Sequence, residues 1–250
     1  MDYETLKVEM GANGVVSLVL NVPEKRNALS ARMIAELTDF ATTTENHPQM
    51  RVVVLSGRGK FFCAGGDLDW MKAQINADRE TRMQEARKLA EMLNALNTMP
   101  TPLIGRIHGG AFGGGVGMAC VCDVAIADQA TKFGLTETRL GIIPATIGPY
   151  VMARLGEGNT RRIFMSGRVF DAAEAATLGV VARAVPADEL DTAVEAEVDP
   201  YLSVAPQAVG VAKALARSLG HRIDTEVIDD TIRQLADIWE GTEAAQGIEA

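Results

Sequence analysis

Six of the thirteen residues from Ile107 to Ala119 are glycine. The run Ile107-His108-Gly109-Gly110-Ala111-Phe112-Gly113-Gly114-Gly115-Val116-Gly117-Met118-Ala119 follows an apolar stretch, Pro102 to Ile107, that reads as a buried strand. A small-residue segment compatible with a helix comes after it. Glycines between a strand and a helix let backbone N–H groups approach a ligand without obstruction by Cβ. The helix start adds unpaired N–H donors and a partial positive charge. That combination suits an anion, whether carried by a ligand or formed during a reaction. Taken alone, the cluster is as much a packing turn as a binding loop. No Gly-Lys-Ser/Thr follows it, so it is not a Walker loop, and a dinucleotide fingerprint fits it only loosely.

Charge narrows the ligand. The chain has 250 residues, a net charge of -9 and a pI near 4.9. This disfavours nucleic acid and anionic membranes as partners. Any anionic ligand must be met by local cations. No apolar run approaches a membrane span. Met1-Asp2-Tyr3-Glu4 is acidic and lacks a signal-peptide pattern, so a cytoplasmic protein is expected. Cys63, Cys120 and Cys122 lie in apolar surroundings and read as buried thiols, neither disulfides nor a metal site.

The element pattern is α/β. Leu6–Met10 and Val15–Leu20 flank Gly11-Ala12-Asn13-Gly14 as a β-hairpin. Ser30 caps a helix with Met33, Ile34, Leu37 and Phe40 on one face. Arg51 to Gly57 reads as a buried strand. Asp67 opens a helical stretch, and a longer helix runs roughly from Arg79 to Asn97. Cys122 to Ala127 is a further strand. Leu140-Gly141-Ile142-Ile143-Pro144 is an apolar turn. From Tyr150 the chain is mostly helical, with one strand-like run at Val180 to Val185. Pro206 starts a helix that Gly220 follows, and Asp224 caps a last helix through Trp239. Strands alternating with helices imply parallel β structure. We expect a core over 1–195 that carries the site, and a helical subdomain over 196–250 for oligomerisation.

Five stretches occur together: Arg26-Asn27-Ala28-Leu29; Phe62-Cys63-Ala64-Gly65-Gly66-Asp67-Leu68; the glycine cluster from His108; Cys122-Asp123-Val124-Ala125-Ile126-Ala127; and Phe133-Gly134-Leu135-Thr136-Glu137 with Gly141-Ile142-Ile143-Pro144. In this order and spacing the chain resembles the crotonase family of enoyl-CoA hydratases and isomerases. The resemblance implies a β–β–α spiral core, an acyl-CoA thioester as ligand, and trimers or dimers of trimers. It implies no separate cofactor and no metal, since coenzyme A enters with the substrate. By the same resemblance the N–H groups of Gly66 and Gly114 bind the thioester oxygen. Lys25, Arg26 and Ala28 line the coenzyme A portion, with Ala64 and Leu68 along the pantetheine. Lys60 is a candidate phosphate partner, and Asp67 and Pro144 complete the expected binding set. Two fixed donors stabilise the oxygen most when its charge is largest, in the enolate-like state.

Acid–base work needs a carboxylate. Many family hydratases have two glutamates, one just after the glycine cluster and one in the Phe-Gly-x-x-Glu segment. Here the first position is Gly117 and the second is Glu137. Apolar neighbours Phe133, Leu135 and Ile142 are expected to raise the Glu137 pKa. A single glutamate fits a hydratase that handles water with one group. It also fits an isomerase that shuttles one proton, and a binder that has lost catalysis stays open. The stretch Ile143-Pro144-Ala145-Thr146-Ile147-Gly148-Pro149-Tyr150, with Cys63 to Met71, is similar to a methylglutaconyl-CoA hydratase-like branch, which favours hydration. Many members continue with a Phe-x-x-Lys-Arg segment near coenzyme A, which is not found before Ala250.

Overall fold

The computed structural model describes residues 2–44 and 47–249. Alternating burial draws strands β1 (Leu6–Met10) and β2 (Val15–Leu20) into the expected antiparallel hairpin. Strands β3 (Val52–Gly57), β4 (Leu103–Ile107), β6 (Val124–Asp128) and β9 (Arg183–Val185) continue from β2 in parallel, giving a six-stranded sheet of order β1-β2-β3-β4-β6-β9. A second sheet holds β5 (Gly110–Phe112), β7 (Lys132–Gly134) and β8 (Val169–Asp171). The chain spirals between the two sheets. It leaves β4 for β5 and β6 for β7, and after β3 it passes through Cys63, which bridges Ala111 of β5. The small-sheet strands have three residues each, too few for an alternation to show in the sequence.

Helix α1 (Ala31–Thr43) starts where Ser30 Oγ accepts from the Met33 amide, and it buries Met33, Ile34, Leu37 and Phe40 as expected. Helix α2 (Leu68–Ile75) is capped by Asp67, and α3 (Arg79–Thr98) by Asp78. Helix α4 (Gly114–Val121) follows the glycine cluster and is buried along its whole length. Helices α5 (Gly148–Phe164) and α6 (Ala172–Leu178) precede the C-terminal set: α7 (Leu190–Leu202), α8 (Pro206–Leu219), α9 (Thr225–Trp239) and α10 (Thr242–Glu249).

Three expectations change. The helix ending at Trp239 is not the last, because α10 follows it. The Val180–Val185 run forms a strand only from Arg183, while Val180 and Val181 pack in the core. The expected division at 195/196 falls inside α7, whose Leu190, Val194 and Val198 cover β3, β4 and β6 through Val52, Ile104 and Ile126. Helix α9 packs along α3 through Ile228, Ile232, Ala86 and Ala90, and the Arg79–Asp237 and Arg87–Asp229 ion pairs flank that seam. Among the described residues no helix is long and apolar enough to cross a membrane.

Candidate active site

The site is assembled by one loop stitched on both sides. The Phe62 and Cys63 amides donate to the His108 and Gly110 carbonyls, and Phe112 N–H donates back to Cys63. On the other side Ala64 N–H donates to Arg26, Leu29 N–H to Gly65, and Asp67 N–H to Leu29. These bonds use the amides around Gly66 but not its own. Gly114 opens α4, where first-turn amides have no helical acceptor. Among the described residues neither the Gly66 nor the Gly114 N–H has an acceptor. The two loops touch: a Cβ on Gly65 would lie 3.0 Å from the Phe112 carbonyl oxygen and 3.9 Å from Gly113 Cα. The two free donors thus sit on neighbouring loops and line one cavity of about 260 Å³.

Glu137 is the carboxylate of that cavity. It begins the 3-10 turn Glu137–Leu140, which Gly141 closes with a left-handed φ of 68°. The residue is partly exposed toward the cavity, but its Oε2 is enclosed and has no hydrogen-bond partner among the described residues. Burial pushes its pKa up to about 7, opposed in part by its own backbone N–H. The other oxygen, Oε1, lies 2.9 Å from where a Cβ on Gly113 would be, and Gly113 has φ 47°. Only glycine at 113 leaves room for the carboxylate at that position. Helix α10 backs the turn from behind. The backbone of Glu243 stands 2.4 Å from a Cβ placed on Gly141, and Leu140 stands 2.5 Å from one placed on Gly247.

The expected site residues divide into two groups. Glu137, Gly66, Gly114, Ala64, Leu68 and Pro144 line the cavity, whereas Lys25, Arg26, Ala28, Lys60 and Asp67 do not. Asp67 is instead a joint. Its Oδ1 accepts the Asp69 and Trp70 amides, and its Oδ2 accepts from Lys25 Nζ at 3.0 Å. Burial works against the Asp67 charge, but Lys25 and the two amides outweigh it and hold the carboxyl below its usual range. Lys25 also pairs with Asp69 at 2.8 Å, so its charge is already matched. Arg26 and Lys60 are exposed, and the Arg26 guanidinium lies 5.3 Å from the Phe61 ring centroid. Buried Asn27 laces their two loops together, donating through Nδ2 to the Arg58 and Phe61 carbonyls and accepting from Val22 N–H.

Gly117 packs on Ile147. A Cβ at 117 would come within 2.7 Å of Ile147 Cγ2, so Ile147, itself a cavity residue, fills the space beside the vacant second-glutamate position. Sequence reading missed the far wall of the cavity: Trp70, Gln74, Arg82, Ile232, Leu235 and Trp239. Its α9 members are more than 90 residues from Glu137 in the chain, and no local pattern ties the two together. The thiols of Cys63, Cys120 and Cys122 are buried and free, and burial pushes each up to about 12. Among the described residues no cluster of His, Cys, Asp and Glu is suited to a metal.

Residues 10–248 match the family model described as enoyl-CoA hydratase/isomerase. The chain belongs to the crotonase family. It is 34% identical to an enoyl-CoA hydratase from Shewanella pealeana, with a TM-score of 0.83 over 99% of this chain and 92% of that one. It is 32% identical over 239 residues to the enoyl-CoA hydratase AKT6-1 of Alternaria alternata, spanning 94% of this chain and 77% of the relative. A hydroxycinnamoyl-CoA hydratase-lyase of Pseudomonas fluorescens is 35% identical over 192 residues, 75% of this chain and 69% of that protein. The two-sheet spiral is the crotonase fold expected from the motifs.

Proposed function

We propose that this crotonase is an enoyl-CoA hydratase that adds water syn across the double bond of a 2-enoyl-CoA. The observation that carries the reading is Glu137 Oε2, enclosed and without a hydrogen-bond partner among the described residues, on the same cavity as two amides that have no acceptor among those residues. The Glu137 carboxylate takes a proton from water as the water oxygen bonds to the β-carbon. Electrons move onto the thioester oxygen, where the Gly66 and Gly114 N–H groups hold the developing charge. The protonated Glu137 then returns its proton to the α-carbon, so one group serves as base and acid. The laced loops that carry Arg26, Arg58 and Lys60 form a cationic rim suited to the coenzyme A phosphates. The spacing of exposed Val211, Leu215 and Leu219 on α8 supports assembly with further copies of this chain. The acidic composition and reduced thiols fit the cytoplasm.

A second reading, double-bond migration, is favoured by Gly117 and Ile147, which leave Glu137 as the single carboxylate on the cavity among the described residues. One assay separates the two. Crotonyl-CoA, methylglutaconyl-CoA and a 3-enoyl-CoA are supplied in turn and the products identified. Hydration of a 2-enoyl-CoA is expected. Rapid isomerisation of the 3-enoyl-CoA with no hydration of any 2-enoyl-CoA overturns the proposal. Binding of all three without turnover marks an acyl-CoA binder.

A further inference from the structure

His108 opens the glycine run, yet its side chain does not line the cavity. It stands half-buried just past the end of β4 and reaches a different loop. Its Nε2 lies 2.9 Å from the Gly59 carbonyl oxygen. A carbonyl only accepts, so Nε2 carries the hydrogen and donates. In the neutral ring Nδ1 is then an acceptor, and it lies 3.5 Å from Arg106 Nη1. Arg106 is held in turn, because its Nε donates to Asp191 Oδ1 at 2.5 Å in the first turn of α7.

The loop that His108 holds carries two cations of the rim, Arg58 and Lys60. Both are exposed, and neither forms an ion pair among the described residues. Arg58 Nη1 donates only to Asn21 Oδ1, at 3.2 Å. The loop backbone, by contrast, is met at every carbonyl from 58 to 61. Asn27 Nδ2 donates to Arg58 and Phe61 at 2.9 and 2.8 Å, and His108 donates to Gly59. A Cβ on Gly109 would run into the Lys60 carbonyl oxygen, so the backbone after His108 closes over the fourth. Gly59 turns the loop with φ 85°, and a Cβ there would stand 2.7 Å from Pro23 Cβ. Asn27 ties the loop to the chain's first loop. His108 ties it to the segment that runs on to the Gly114 amide.

We propose that His108 is a positioning residue for the ligand's phosphates: its ring holds the Arg58–Lys60 loop in register with the Gly114 amide. The inference rests on the acyl-CoA reading above. The phosphates do not change during the reaction, so contacts to them are equal in the ground and transition states. Fixing the loop in advance removes an ordering cost from binding. His108 therefore acts on affinity for the phosphate-bearing ligand and leaves the chemical step at Glu137 alone.

The test uses the whole protein and pairs each coenzyme A thioester with its pantetheine thioester, which lacks the phosphates. Turnover is measured for crotonyl-CoA and crotonyl-pantetheine. Binding is measured by calorimetry for the unreactive butyryl-CoA and butyryl-pantetheine. In His108→Ala the KM for crotonyl-CoA and the Kd for butyryl-CoA are expected to rise about 3- to 10-fold, with kcat unchanged. The pantetheine thioesters are expected to behave as with the unaltered protein. His108→Gln brings an amide N–H near the place of Nε2 and is expected to restore affinity. His108→Asn is too short to reach Gly59 and is expected to match alanine, which keeps the test decisive if His108→Ala does not fold. In a protein already carrying Arg58→Ala and Lys60→Ala, adding His108→Ala is expected to change nothing further. A merely structural histidine would weaken both thioesters of a pair together, which overturns the proposal. An unchanged affinity for butyryl-CoA overturns it, as does an undiminished effect of His108→Ala once the two cations are gone; the acyl-CoA reading then stands. Failure of the unaltered protein to bind butyryl-CoA overturns both.

Discussion

Glu137 holds a proton that sets the pH range of the cavity. Its carboxyl is raised from 4.5 to about 7 by burial, so at neutral pH both forms are present. The carboxylate does the first proton transfer, so kcat/KM is expected to rise with pH through about 7. Glu137→Gln should lose that limb and roughly 10²–10⁴-fold in turnover, while still binding an unreactive acyl-CoA. A near-normal rate in Glu137→Gln would end the assignment. The same group affects stability with a defined sign. Its folded pKa is above its unfolded value, so the folded state binds the proton more tightly. That contribution is complete below about 4.5 and is lost as pH rises through about 7 in the unliganded protein. Denaturant midpoints measured across this range should fall with pH, and the slope should flatten in Glu137→Gln. Gly66 offers a separate residue-scale test, because its amide has no acceptor among the described residues and a Cβ there meets only the Met71 and Trp70 side chains, at ordinary distances. Gly66→Ala should retain the fold and the donor. Gly66→Pro removes the donor and should cost about 10²–10³-fold in kcat, with an unchanged circular dichroism spectrum as the control.

Between elements, the contact of α4 with α5 decides why no second carboxylate stands at position 117. Residue 117 faces Ile147 at the start of α5, at a distance no Cβ tolerates. Gly117→Glu alone is therefore expected to destabilise the protein by about 1–3 kcal/mol through overpacking. Adding Ile147→Ala opens the space, and the pair should be more stable than the sum of the single changes predicts. If water is the nucleophile, the double variant should also hydrate crotonyl-CoA faster, since a second carboxylate can orient the water. Thermal denaturation and product analysis on the same preparations check both outcomes. Strictly additive losses of stability would show that Ile147 is not the obstacle.

For the molecule as a whole, helix α8 presents an unpartnered face. It has no buried residue, and Val211, Leu215 and Leu219 recur every fourth position at 70%, 58% and 80% exposure. A stripe of this kind on one helix face marks a contact surface. The unaltered protein is expected to sediment as a trimer or a dimer of trimers, and Val211→Lys with Leu215→Lys as a smaller species with native helix content. A monomeric unaltered protein would remove that role from α8.

What the sequence determined by itself was the part of the molecule that local physics writes into short stretches. Ser30 and Asp67 announce helix starts because a side-chain oxygen must meet free amides. The 107–119 glycines and the Phe62–Leu68 loop mark where backbone must come close, and Glu137 is legible because it follows a recognisable motif. Tertiary structure alone decided what surrounds that carboxylate. Its raised pKa comes from enclosure, the room for its Oε1 from the missing Cβ at 113, and its support from α10. The far wall, Arg82 included, depends on α9 lying along α3, a pairing of helices distant in the chain. A side chain's identity is local, but its dielectric surroundings and its partners are set by whichever distant segment packs against it.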